Sequence, residues 1–282
     1  MEIFSNNYLI QVAKQCQPNN GPNGHSGVLV FCCANGRVVR DGLAAGLKIF
    51  GVDPYEGYHA WCRSEVETRG LLGKCVFQMK DGKIPFPDCS FDFVIANRLE
   101  HISDLDLALA EIHRVLTPGG QALAIFPHAG VIWEEHSNTL FTHWFSSRSS
   151  LRLAWVYLCK CLGDVVAPFI VDRRSLWCLG SDNHGRTRWE WSRFVLWYLD
   201  NCCFYRKQSE IDGVFARYFD VQRLDSSFIE FRRARSRGWR FVVPFPSGWG
   251  LNEHILNRLI GVTILATKGR CDRSTVLRRS NE

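Results

Sequence analysis

FDFVIANRLEHISDLDLALAEIHRVLTPGGQALAIFP, residues 91–127, holds three kinds of text in a fixed order. FDFVIAN (91–97) is a short apolar run with aromatic and β-branched residues, which predicts a buried strand. DLDLALAEIHRVL (104–116) sets Leu, Ala and Ile at helical spacing, so it predicts a helix. Pro118-Gly119-Gly120 predicts a turn, and QALAIFP a second strand. A strand, a helix and a strand joined this closely predict a parallel crossover unit.

The same alternation extends towards the amino terminus. VLVFCC (28–33) predicts a strand buried on both faces, followed by a helix over 36–47. KIFGVDP predicts a strand ending at Asp53, YHAWCRSEVETRGL a surface helix, and KCVFQMK a weaker strand. The pattern predicts an α/β fold, a Rossmann-like doubly wound, mostly parallel sheet with helices on both faces. Ligands of such sheets lie beyond the carboxyl ends of the strands, which directs attention to residues 32–36, 53–55, 79–81 and 97–101.

Beyond strand five the text becomes aromatic-rich and irregular. One domain over 1–282 is expected: a lead over 1–26, a cofactor-binding core over 27–126, a helical insertion or acceptor lid over 127–210, and a basic tail region over 211–282. In that last part FDVQRLDS (219–226) and GVTILATK (261–268) are expected as antiparallel edge strands.

With 282 residues, 46% hydrophobic and 22% charged, the chain is long enough to bury a sizeable core. The net charge of +6 is concentrated late: residues 206–282 hold 15 Lys or Arg against 8 Asp or Glu. FRRARSRGWR (231–240), with five arginines, offers an anionic surface a place to dock, although a solvated basic face explains it as well. The twelve cysteines include no CxxC pair, so no metal site is expected, and free thiols in a reducing cytoplasmic setting fit best. No secretory leader, no uninterrupted apolar run of spanning length and no nucleic-acid motif are found. Arg148, Arg152 and Lys160 among aromatics suggest a second route to a lipid surface.

IPFPDCSFDFVIANRLEHISDLDLALAEIHRVLTPGG, residues 84–120, resembles the class I S-adenosylmethionine-dependent methyltransferases, in particular their small-molecule group. Pro85, Phe91, Asp92, Glu100, His101, Glu111, Arg114, Leu116, Pro118, Gly119 and Gly120 carry the likeness, and a weaker similarity runs over 27–126. The resemblance implies S-adenosylmethionine as cofactor and a small-molecule, lipid or sugar-precursor acceptor. It aligns Cys32, Ala34 and Gly36 with the three glycines of the family's first cofactor motif, and Val30 with its acid. Asp53, at the end of the second strand, is expected at the ribose hydroxyls and Asn97 at the end of strand four; the family's acid near the adenine amine falls on Lys80 by the count back from Pro85 and on Asp81 with a one-residue shift. A side chain in place of glycine must either accept positive φ, at a cost of about 1 kcal/mol or more, or displace the ligand. The alternative reading is a methyltransferase-like binding or regulatory protein that has lost the cofactor. Asp53 is expected at the surface of a pocket, so that its removal would cost binding and not folding.

Methyl transfer from a sulfonium needs position, exclusion of water and, for a hydroxyl acceptor, a base. His101 just past strand four is a base candidate, and Glu135 with His136, beside Glu134, forms a carboxylate–imidazole pair of the kind that orients a base. Structural readings stand beside these: Glu100 and His101 holding a loop, and the acids of WEEHSN opening a helix. His128, after strand five, lies at the same end of the sheet.

Overall fold

The computed structural model describes residues 2–16, 27–55, 60–134, 136–137, 139–147, 149–170, 186–235, 249–259 and 261–269. The crossover read from the sequence is present: β4 is the strand Phe91–Asn97, α4 the helix Leu105–Val115 and β5 the strand Leu116–Phe126. Upstream lie α1 (Glu2–Cys16), β1 (Val28–Phe31), α2 (Arg37–Ala44), β2 (Ile49–Asp53), α3 (Ala60–Thr68) and β3 (Val76–Gln78). Downstream come a short ribbon, β6 (Trp133–Glu134) with β7 (Thr139–Leu140), and the helices α5 (Ser150–Ile170), α6 (Arg188–Cys202) and α7 (Gln208–Tyr218). The last elements are β8 (Asp220–Arg223), α8 (Asp225–Arg235), α9 (Gly250–Leu259) and β9 (Val262–Thr267).

The main sheet has seven strands in the order β3-β2-β1-β4-β5-β9-β8. The first five are parallel, with Val30 opposite both Gly51 and Ile95. β9 runs antiparallel to β5 and to β8, as expected of the two late strands. All of β1 is buried, yet its residues alternate between two cores. Val28 and Val30 pack on the side that holds α1, α2 and α8; Leu29 and Phe31 pack on the side that holds α4 and α7. That alternation is the pleat of a central strand covered on both faces.

Several sequence expectations change. The helix expected over 36–47 is shorter, Arg37–Ala44: Gly36 precedes it in the left-handed region at φ 71, and Gly46 at φ 81 follows its end. Pro118-Gly119-Gly120 is not a free turn but part of β5, where a register irregularity opposite Phe91–Phe93 absorbs it. Gly120 is needed there: a Cβ would lie 2.9 Å from the Thr117 carbonyl oxygen and 3.1 Å from that of Asp92. The polar lead contains helix α1, whose Tyr8 is buried edge-on against Phe228 and Phe231 of α8. The stretch after strand five starts as the β6–β7 ribbon and becomes helical only at α5.

The basic segments also differ from the sequence reading. Arg152 and Lys160 are buried, Arg152 on Asp200 and the Thr142 carbonyl, Lys160 over the Trp191 ring at 4.0 Å, so neither faces a lipid surface. Arg148 lies outside the described residues, as does 236–240 of FRRARSRGWR. Of that stretch's described arginines, Arg232 is buried and Arg235 stacks on Phe231 at 3.9 Å. Among the described residues no helix is long and apolar enough to cross a membrane, and the ten described cysteines are free thiols.

Much of the 84–120 motif holds this architecture together. Arg114 on α4 donates to Glu111 at 2.8 and 2.9 Å, to Asp88 at 2.8 Å and to the carbonyls of Ile84 and Phe86 at 2.9 Å. Glu111 in turn accepts the Ile84 N–H at 3.0 Å. The PFPD loop is thereby tied to the helix that follows it. Arg114→Ala should lower stability by about 2 kcal/mol, read as a lower denaturant midpoint at unchanged m-value, since it leaves several acceptors without their donor.

His128, past the end of β5, is a clamp. Its Nδ1 accepts the Gly130 N–H at 2.9 Å and its Nε2 meets Asn257 Oδ1 at 2.8 Å, which anchors α9. Burial lowers its pKa, opposed by the Asn257 bonds and reinforced by Arg258 and Arg223; burial lowers His143 as well. Unfolded histidines titrate near about 6.5, so below that pH the unfolded chain binds protons that the folded one refuses. Stability should therefore be complete above about pH 7 and fall as pH drops towards 5, with a shallower fall in His128→Asn, measured by thermal melts across that range.

Candidate functional site

The carboxyl ends of β1, β2 and β4 meet at one edge of the sheet, and most sequence-selected residues gather there. The turn after β1 takes positive φ at all three positions although only one is glycine: φ is 54° at Cys32, 47° at Ala34 and 71° at Gly36. Each of the two non-glycine residues carries the left-handed cost anticipated from the sequence. Asp53 offsets it. Its Oδ2 accepts the Ala34 N–H at 2.8 Å and its Oδ1 accepts the Tyr55 N–H at 3.0 Å. Tyr55, itself at φ 53°, donates its hydroxyl to the Ala34 carbonyl at 3.0 Å.

Asp53 is therefore not a pocket-surface group. It is only 3% exposed, and its carboxylate braces the turn from beneath. Burial, joined by the Asp53 charge, raises the thiols of Cys33 and Cys62, the latter to about 12, which makes them inert apolar neighbours. Asp81 sits at the tip of the turn between Lys80 and Lys83, exposed and left-handed at φ 51°, followed by Gly82 at φ 71°. Asp-Gly at such positions is ordinary turn chemistry. Asn97 ends β4, half-buried, its backbone paired with Ile125.

A second group converges on the end of β4 from three separate parts of the chain. The 3-10 turn Leu99–His101 supplies Glu100 and His101. The β6–β7 ribbon supplies Glu134 and His136, and the segment after α6 supplies Cys203 and Tyr205. His101 Nδ1 lies 2.7 Å from the Cys202 carbonyl oxygen, which can only accept, so this nitrogen carries the proton. His136 Nδ1 lies 2.8 Å from Glu134 Oε1. Glu134 is 1% exposed and also receives the Tyr205 hydroxyl at 2.6 Å and the Ser137 N–H. Burial alone would raise its pKa; His136 and the bonds from His136, Ser137 and Tyr205 more than offset it and hold the carboxyl near about 2. The Nε2 atoms of the two histidines are 3.2 Å apart, and Tyr198 flanks both rings.

Two segments fix this arrangement. The Glu100 carbonyl accepts the Phe204 N–H at 2.6 Å, and Arg206 donates to the Ile102 and Ser103 carbonyls at 2.7 Å each. The sequence reading selected His101 and His136, and counted Tyr198 among aromatics for an acceptor pocket; it missed Cys203 and Tyr205, which lie far along the chain in text that reads as helix and loop. Glu135 lies outside the described residues. The carboxylate that orients His136 is its neighbour Glu134.

Asp53→Asn should destabilise the chain by about 2 kcal/mol, because the amide presents a donor to one of the two backbone N–H groups it must accept. Tyr55→Phe should cost about 1 kcal/mol through loss of one neutral bond, and denaturant midpoints would rank the two.

Residues 29–124 match the family model described as a methyltransferase domain. Among curated proteins, the ubiquinone/menaquinone biosynthesis C-methyltransferase UbiE of Teredinibacter turnerae is 40% identical over 65 residues, 22% of this chain and 26% of that protein. The corresponding protein of Cellvibrio japonicus is 42% identical over the same shares. The chain thus spans about a quarter of the length of the curated relatives it matches. Among solved structures, phosphoethanolamine N-methyltransferase 2 of Haemonchus contortus with S-adenosyl-L-methionine aligns at TM-score 0.44 and 15% identity, over 94% of this chain and 53% of that one. Geranyl diphosphate C-methyltransferase of Streptomyces coelicolor A3(2) aligns at TM-score 0.42 and 11% identity, over 94% and 79%. The sheet order, the 84–120 motif and the match over 29–124 together place this region of the chain in the class I S-adenosylmethionine-dependent methyltransferases.

Proposed function

We propose that the protein transfers a methyl group from S-adenosylmethionine to a small-molecule or lipid-precursor acceptor held over the end of β4. The observation that carries this reading is the preserved turn: Cys32, Ala34 and Gly36 all adopt positive φ, so the backbone keeps the shape that the family's glycines give it. A chain with no ligand at this turn would have no need to keep two non-glycine residues in a strained conformation. Asp53, at the end of β2, acts through this turn, since its carboxylate accepts the Ala34 and Tyr55 N–H groups and so holds the loop in shape. The cofactor supplies an activated methyl carbon, and the residues of this chain supply position and dryness. Cys32–Gly36, braced from beneath by Asp53, hold the nucleoside side, while His101 and His136 face the acceptor and favour loss of its proton. Tyr198 of α6 covers both histidine rings. The names of the UbiE relatives support a small, apolar acceptor.

A second reading has one observation in its favour. Tyr55 is 5% exposed with its hydroxyl on the Ala34 carbonyl, and Asp53 and Ala34 are buried with it, which suits a brace that never opens. On that reading the chain is a methyltransferase-like binding protein.

Titration with S-adenosylmethionine and S-adenosylhomocysteine, by calorimetry and by melting temperature, separates the two. Binding should add roughly 2.7 kcal/mol of stability at about 100 times the dissociation constant. The same experiment on Gly36→Val should show the binding lost, because a β-branched residue cannot hold φ near 71° cheaply. No binding to the folded wild-type chain at millimolar ligand would overturn the enzyme reading.

A further inference from the structure

The two histidines at the end of β4 are arranged as a pair of ligands. Each ring commits Nδ1 to an oxygen, His101 to the Cys202 carbonyl at 2.7 Å and His136 to the Glu134 carboxylate at 2.8 Å. In a neutral imidazole with a protonated Nδ1, the Nε2 carries the lone pair. Those two Nε2 atoms point at one another across 3.2 Å. Glu100 Oε1 lies 3.6 Å from the first and 3.9 Å from the second. One ligand atom from each of His101, His136 and Cys203 also lies within 4.8 Å of the others.

Imidazole nitrogens, a carboxylate and a thiol gathered this closely are donor types that a divalent cation takes. A single shared proton satisfies only one line, from nitrogen to nitrogen. It does not engage the carboxylate that stands 3.6 and 3.9 Å from the two rings, or the thiol beside them. A divalent cation does. With Zn–N bonds of about 2.0–2.1 Å, tetrahedral ligands stand about 3.3 Å apart, so these separations need only a small contraction. The outer contacts agree as well: metal-bound histidines characteristically give their other N–H to a carboxylate or a backbone carbonyl, and here one does each. Glu100 and His101 are almost wholly buried, with side chains 2% and 6% exposed, while His136 is 16% exposed and leaves the group open on one side.

We propose that Glu100, His101 and His136 form a site of two imidazoles and one carboxylate for a divalent cation of the zinc class, with Cys203 beside it as a further donor. The ligands come from a loop of the methyltransferase core and from the β6–β7 ribbon, so the ion would fasten the ribbon to the core. Its open side faces the acceptor, and an acceptor hydroxyl reaching the ion would ionise more readily; that last clause rests on the reading of the β4 end as the acceptor side. Sequence spacing gives no sign of the site, since two ligands are adjacent and the third lies 35 positions on.

The test uses the full chain, freed of metal by a chelator and dialysed, with no S-adenosylmethionine present, so its outcome is independent of cofactor binding. Zn2+ titration against a competing chromophoric chelator should show about one tightly bound ion per chain. Co2+ should give the intense visible bands of a four-coordinate site, and Cys203→Ser should remove any thiolate charge-transfer band without abolishing binding. His101→Ala, His136→Ala and Glu100→Gln should each weaken binding at least about tenfold, and Glu134→Gln, a positioning change, about 10–100-fold. If a variant fails to fold by circular dichroism, imidazole 15N spectra of the wild-type chain decide: Zn2+ should shift two Nε2 resonances together. No stoichiometric Zn2+ uptake by the folded wild-type chain would overturn the site. Uptake that persists unchanged in folded His101→Ala/His136→Ala would also overturn it.

Discussion

Parallel pairing of β1 with β4 is the constraint on which the rest of the structure depends. Two parallel neighbours must finish at the same edge of the sheet, and the chain leaves them in opposite directions: β1 turns into α2 on one face, β4 into α4 on the other. The loops diverge at this point, which is the reversal of strand order where such sheets take ligands. The Cys32–Gly36 turn follows one strand, and Glu100 and His101 the other. The buried VLVF strand secures this by sending alternate residues into both cores.

On the β1 side, the chemistry is that of a loop held in a demanding shape. Glycine normally makes positive φ inexpensive; here Cys32 and Ala34 adopt it and a buried carboxylate compensates with two backbone hydrogen bonds. Asp53 thus links the stability of the chain to the shape of the turn after β1. On the β4 side, buried polar groups form a network in which Glu134, ionised and fully enclosed, fixes the orientation of His136. Satisfied networks of this kind are rigid and specific, because each unmet bond would carry a full desolvation cost. The aromatic stretch contributes Tyr198 and Tyr205 here, and elsewhere it packs α5 against α6.

The 84–120 motif shows how one set of residues serves both fold and site. Glu111, Arg114, Asp92 and Gly120 tie α4 and β5 to the loop before β4, while Glu100 and His101 belong to the group at the end of β4. A resemblance confined to such a stretch therefore reports the scaffold more strongly than the acceptor. The β6–β7 ribbon and the segment after α6, which meet the end of β4, come from beyond 126, outside the matched region.

The sequence by itself determined the parallel core, its strand order of appearance, and the edge at which ligands lie. Hydrophobic period and turn residues are local signals, and they act over the length of a single element. It also selected Asp53, His101 and His136, because each follows directly on a readable strand or stands in a conspicuous acidic-His cluster. It did not determine what those residues do. Whether Asp53 meets solvent or braces a turn depends on where Tyr55 folds back, and the choice of Glu134 as partner of His136 depends on the ribbon geometry of β6 and β7. The approach of His101 to His136, and of both to Cys203 and Tyr205, was decided only by tertiary structure. It requires segments up to a hundred residues apart to be stitched together by Phe204 and Arg206, and no local pattern encodes a contact of that sequence separation.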